Sequence, residues 1–101
     1  MSGPDYTNEA QQRIMRLVMA IAGHELHGVS AQDMVQMQQC NASMVTRDIA
    51  NLVAVGWVER IPETNRWRLA PSVVQIAMRH MVGLDRAKQK LAEIQHRYTR
   101  T

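Results

Sequence analysis

Apolar residues recur at helical spacing in several stretches of the chain and alternate in two short ones. Ile14, Leu17, Val18 and Ile21 form one stripe, with Met15 and Met19 on its flanks. Thr7 or Asn8 can cap that helix, which runs to about Ala22 before GHELHG breaks it. Ser30 and Asn41 each stand where a further helix can begin, because their side-chain oxygens can accept from unpaired first-turn N–H groups. Asp33 suits the positive end of the helix that Ser30 opens. QMQQC (residues 36–40) turns the chain between the two, which gives the outline of a helix-turn-helix.

The segment from Asn41 to Val55 has two faces. Met44, Val45, Ile49, Leu52 and Val53 are expected on the core, and Ser43, Thr46, Arg47, Ala50 and Asn51 outside. An outer face that is small and polar with one long cation suits a helix lying in a major groove; an ordinary amphipathic helix with a solvated face has the same pattern. Gly56 ends the helix. WVERI then alternates like a strand, PETN turns, and RWRLA alternates again. Val58 and Leu69 are expected to face inward, and Glu59, Arg66 and Arg68 water. The expected fold is mainly α with a small β-hairpin: a winged helix-turn-helix plus a C-terminal helix.

The run from Met44 to Ala77 resembles the N-terminal DNA-binding domain of IclR-type transcriptional regulators. Ser43, Arg47, Leu52, Gly56-Trp57-Val58-Glu59-Arg60 and Trp67-Arg68-Leu69 match that family's pattern in order and spacing, and the likeness covers roughly residues 12–80. The resemblance implies a winged helix that binds DNA, and it implies no ligand. The family's large effector-binding domain has no counterpart in these residues. At Asp48 the family usually has an apolar residue, so this turn of helix is expected to pack more loosely or to turn Asp48 toward water.

Beyond the hairpin, Pro71-Ser72 opens a last helix whose Val73, Ile76, Ala77, His80 and Met81 can return to the domain. Gly83 weakens this helix locally without forbidding it. Leu84, Ala87, Leu91, Ile94 and Tyr98 then repeat at intervals of 3 and 4, and the alternation extends back through His80, Ala77 and Val73. Such a seam suggests helix pairing into a homodimer, although a terminal helix can also lay its stripe on its own domain. Arg86, Lys88, Lys90 and Arg97 lie outside the seam. The expected organisation is a flexible start (1–8), a winged helix-turn-helix (9–82) and a C-terminal dimerisation helix (83–101).

Composition adds limits. One hundred and one residues, 46% of them apolar, can bury a core without metal or disulfide support, although Phe is absent and Met occurs eight times. Cys40 has no partner cysteine and reads as a buried or half-buried thiol in a reducing cytoplasm. His24 and His27 read as loop residues, with no cluster of further ligands nearby. There is no phosphate loop, nucleophile elbow or clustered carboxylate pair, so neither catalysis nor a cofactor is expected. No secretory or membrane-spanning run occurs, and a cytoplasmic protein is expected. The formal net charge of +3 is uneven: residues 1–40 net −2 and residues 41–101 net +5.

These features lead to a sequence-specific regulator of transcription bound to double-stranded DNA. Its recognition helix (about 42–55) enters the major groove, where Arg47 can read guanine, Asn51 adenine, and Ser43 and Thr46 bases or phosphates. Gln38, Gln39 and Asn41 at the turn can hold phosphates. Arg66 and Arg68 on the wing (about 57–70) can reach the flanking minor groove or backbone, while Trp57 and Trp67 pin the hairpin to the helices. Two other functions fit the same pattern: a winged helix used for protein contacts, and a DNA-binding accessory factor in replication, recombination or packaging of a phage or other mobile element.

Overall fold

The computed structural model describes residues 3–99. Met1 and Ser2, assigned above to a flexible start, and Arg100 and Thr101, assigned to the terminal helix, lie outside the described residues. The chain runs α1 (Glu9–Ile21), α2 (Ala31–Gln38), α3 (Ala42–Ala54), β1 (Val58–Ile61), β2 (Arg66–Leu69) and α4 (Pro71–Thr99). It is mostly helical with one small antiparallel hairpin. Between Ala70 and Pro71 it divides into two compact units, a winged helix and α4.

Each of the first three helices starts at a side-chain cap. Asn8, not Thr7, caps α1 by accepting from the Gln11 N–H, while Thr7 bonds Asp5 instead. Ser30 and Asp33 form a reciprocal capping box at α2, with the Asp33 N–H donating to Ser30 Oγ at 3.0 Å. Asn41 caps α3 by accepting from the Met44 N–H at 2.9 Å. The turn before α3 is tighter than QMQQC implied, because α2 continues through Gln38 and leaves residues 39–41 to reverse the chain. Gln39 makes the reversal in a left-handed conformation (φ 51°), with its N–H directed back to Gln36 O and Val35 O.

Leu17 and Ile21 of α1, Met34 of α2, Val45, Ile49 and Leu52 of α3, Val58 of β1 and Val29 make up the buried core. Ile14, Val18, Val35, Cys40, Trp67 and Leu69 pack around it. Two sequence expectations on α3 need correction. Val53 is 43% exposed rather than in the core, because it lies on the flank of α3 that lines an open groove with Thr46, Ala50 and Trp67. Asp48, on the other side of the line through Val45, Ile49 and Leu52, is buried rather than turned to water, at 5% exposure. Arg13 of α1 reaches it with two hydrogen bonds, Nε to Oδ2 at 2.7 Å and Nη2 to Oδ1 at 2.9 Å. A bidentate ion pair thus stands where the resembled family usually has an apolar residue, and it ties α3 to α1.

In the hairpin, Val58 faces Leu69, Glu59 faces Arg68, Arg60 faces Trp67 and Ile61 faces Arg66. Val29 adds an antiparallel bridge to Trp67, each N–H donating to the other's carbonyl at 2.8 and 2.9 Å. This one-residue bridge helps fasten the wing to the segment that leads into α2. It was not anticipated, since a one-residue bridge leaves no alternation to read.

α4 is continuous through Gly83 over 29 residues and contains no buried residue.

Candidate nucleic-acid interface

α3 is fixed at its start, on one flank and at its end. Asn41 fixes its start, Asp48 ties it to α1, and the Trp57 N–H donates to Leu52 O at 2.9 Å as the chain leaves toward the wing. Ser43, Arg47 and Ala50 lie on the face opposite Val45, Ile49 and Leu52, and all three are exposed. Thr46 is also exposed and lines a shallow, mostly apolar groove with Ala31, Ile49, Ala50, Val53 and Trp67. Arg47 makes no side-chain hydrogen bond or ion pair among the described residues, so its guanidinium is available to a ligand.

The other residues selected from sequence are placed differently. Asn51 lies on the flank, beside Ile14, Met15, Val18, Leu52, Val55 and Trp57, and its amide donates to Arg47 O at 2.8 Å. Gln38 is committed to α1, donating to Arg13 O at 2.8 Å. Gln39 and Asn41 are exposed at the turn, Asn41 with its side-chain oxygen engaged as the cap.

Both wing arginines named from sequence have partners inside the unit. Arg66 donates to the carbonyls of His27 and Gly28 at 3.1 and 3.3 Å, and its Nη2 lies 3.3 Å from Asp33 Oδ2. It therefore braces the α1–α2 loop against the hairpin. Arg68 pairs across the strands with Glu59 at 2.8 Å. Arg60 bonds Asn65 in the turn and remains exposed. Trp67 packs on the core, whereas Trp57 is 38% exposed and its backbone carbonyl accepts from the Ala70 N–H.

These pairings redistribute the charge. Residues 1–70 carry six arginines against seven carboxylates, and four of the six (Arg13, Arg16, Arg66 and Arg68) are ion-paired. Residues 71–101 carry six cations against two carboxylates. The positive excess that sequence assigned jointly to recognition helix, wing and tail therefore belongs to the α4 segment. Its neutralisation inside the winged helix was hidden because the pairs span 33 and 35 positions for Arg66–Asp33 and Arg13–Asp48.

Among the described residues, no helix is long and apolar enough to cross a membrane. No protein-family model matches the chain, and no curated protein matches it. Solved structures do. One, assigned as an IclR transcriptional regulator from Silicibacter sp. TM1040, superposes with a TM-score of 0.65 at 19% identity over 80% of this chain. Another, an IclR family transcriptional regulator from Brucella abortus, gives 0.63 at 14% identity over 83%. The chain spans about a third of each, 32% and 33% of their lengths. At these identities the likeness establishes a shared fold.

Proposed function

We propose that the chain is a sequence-specific, double-stranded-DNA-binding regulator of transcription that acts in the cytoplasm as a homodimer. The observation that carries this reading is the outward face of α3, where the Arg47 guanidinium has no partner among the described residues and stands beside Ser43, Thr46 and Ala50. Regulators of transcription among the structural neighbours support it. α3 lies in the major groove with Arg47 bidentate on guanine, and the methyl-lined groove by Thr46 and Ala50 meets thymine methyl groups. Gln39 and Asn41 meet the phosphates beside the turn. Asn51 supports Arg47 through its carbonyl and reaches adenine only by giving up that bond. Arg66 and Arg68 approach DNA as half of neutral pairs, so each contributes to phosphate attraction only as far as phosphate replaces its carboxylate.

Selection from a random duplex pool tests this reading. A two-fold motif should be enriched by the wild type, and Arg47→Ala should lose about 1–3 kcal/mol on that motif and blur the base it reads. No enriched motif from the wild type would remove sequence-specific regulation. The near-neutral winged helix favours one second reading, a surface for protein contacts, and that outcome would leave it standing.

Two copies pair through Leu84, Ala87, Leu91, Ile94 and Tyr98, a seam whose apolar members are exposed, Leu91 at 57% and Ile94 at 38%. Lys88, Lys90, Gln95 and Arg97 occupy the positions flanking it, and Asp85 and Glu93 do not. Neither parallel nor antiparallel pairing offers these cations a carboxylate, so their repulsion opposes assembly. Sedimentation should accordingly show a dimer that tightens as salt rises, the opposite of its DNA affinity. A monomer at high micromolar protein in high salt would remove the homodimer.

A further inference from the structure

A protein that neutralises phosphates needs cations that are exposed and unpaired, and the winged helix has few. Arg47 is the one assigned above to the bases, four other arginines are tied to carboxylates, and Arg60 bonds Asn65. α4 has the opposite character. Arg79, Arg86, Lys90 and Arg97 recur at intervals of 7, 4 and 7, which places them within about 40° of one another around the axis at 3.6 residues per turn. All four are exposed, and none forms an ion pair among the described residues. Glu93 is the one carboxylate near their side of the helix, and Asp85 lies farther round. At 1.5 Å per residue, successive cations stand about 6–10 Å apart along the axis. That is on the order of the Debye length at physiological salt, so their potentials merge into one stripe. The stripe lies beside the seam of Leu84, Leu91 and Ile94, which leaves it accessible in a pair of helices.

We propose that this stripe is the principal phosphate-binding surface of the protein. Arg79, Arg86, Lys90 and Arg97 hold the DNA sugar–phosphate backbone, while the wing contributes little to non-specific affinity. This rests on the DNA-binding reading and deepens it: α3 supplies sequence preference, and α4 supplies the salt-dependent attraction. It also links assembly to DNA, since phosphates that neutralise Lys90 and Arg97 relieve the repulsion flanking the seam.

The test is fluorescence anisotropy of the full chain on a random-sequence duplex across a salt series. The variants are Arg79→Gln/Arg86→Gln/Lys90→Gln/Arg97→Gln, the charge-conserving Arg79→Lys/Arg86→Lys/Arg97→Lys, and Arg16→Gln as a control distant in sequence. If each cation neutralises one phosphate, the glutamine variant's salt slope falls by about 0.9 per site, or about 3.6 per protomer. Between about 50 and 200 mM salt, the wild type then loses roughly 100-fold more affinity than the variant. The lysine variant should keep the wild-type slope, which separates charge from a folding defect, as should Arg16→Gln.

An unchanged slope in the glutamine variant overturns the inference while leaving the DNA reading intact. A wild type that binds no duplex overturns both. The same variants titrated with phosphatidylserine vesicles and with polyglutamate exclude other polyanions. If the substitutions abolish binding to one of these and spare the duplex, the stripe serves that partner instead.

Discussion

Arg13→Met is expected to destabilise the winged helix by about 3 kcal/mol, and Asp48→Leu introduced alongside it is expected to restore most of that loss. Asp48 is the one buried charged residue among those described, at 5% exposure, and Arg13 supplies both of its side-chain hydrogen bonds. Removing the cation leaves a desolvated carboxylate alone, the situation in which a broken buried pair loses about 3–5 kcal/mol. The lower end applies because the pair sits at the edge of the core, with the Arg13 side chain still 12% exposed. Replacing both partners with apolar groups of similar volume removes the desolvation problem as well as the attraction, and such exchanges are often neutral. Urea melts of the two single variants and the double variant close the cycle. A double variant as unstable as Arg13→Met would mean that leucine cannot pack at Asp48's place. The pair would then serve to position α3 against α1, beyond its net energy.

The same residue shows where the sequence was legible and where it was not. Local rules were sufficient for the caps at Ser30 and Asn41 and narrowed the first to Thr7 or Asn8, because capping depends on residues three apart. The hairpin was legible from the alternation on either side of PETN; its register, which short strands leave open, pairs Val58 with Leu69. Asp48 was misread because its meaning lies in Arg13, 35 residues earlier and on another helix. Arg66 raises the same difficulty: basic alternation in a strand reads as an outward cation until His27, Gly28 and Asp33 are brought beneath it. The outward face of α3 was legible where periodicity decides, at Ser43 and Arg47. It was less so at Asn51 and Val53, where a shift of one position around the helix moves a side chain from face to flank.

Gly28→Ala is expected to destabilise the winged helix by roughly 2–5 kcal/mol, more than any other glycine substitution in the described residues. Gly28 has φ +72°, a conformation that costs a side-chain-bearing residue about 1–2 kcal/mol. An added Cβ would stand 2.7 Å from Ile61 Cδ1 and 2.8 Å from Trp67 O. The Ile61 methyl can swing aside. The Trp67 carbonyl cannot, because it is backbone and accepts from the Val29 N–H in the bridge that fastens the wing. Relief therefore requires the hairpin to shift, and overpacking of this kind adds about 1–3 kcal/mol. Gly23→Ala separates the two contributions: Gly23 has φ +91° but nothing within 4 Å of the added Cβ, so it bears the backbone strain alone. Paired urea melts should show the larger loss at Gly28, and equal losses would mean that the bridge yields freely. Because Arg66 donates to Gly28 O, a displaced loop also loosens that brace. Gly28→Ala should then weaken Val29–Trp67 amide protection in hydrogen exchange before α1 or α3 is affected, which marks the wing as the element that this glycine holds in place.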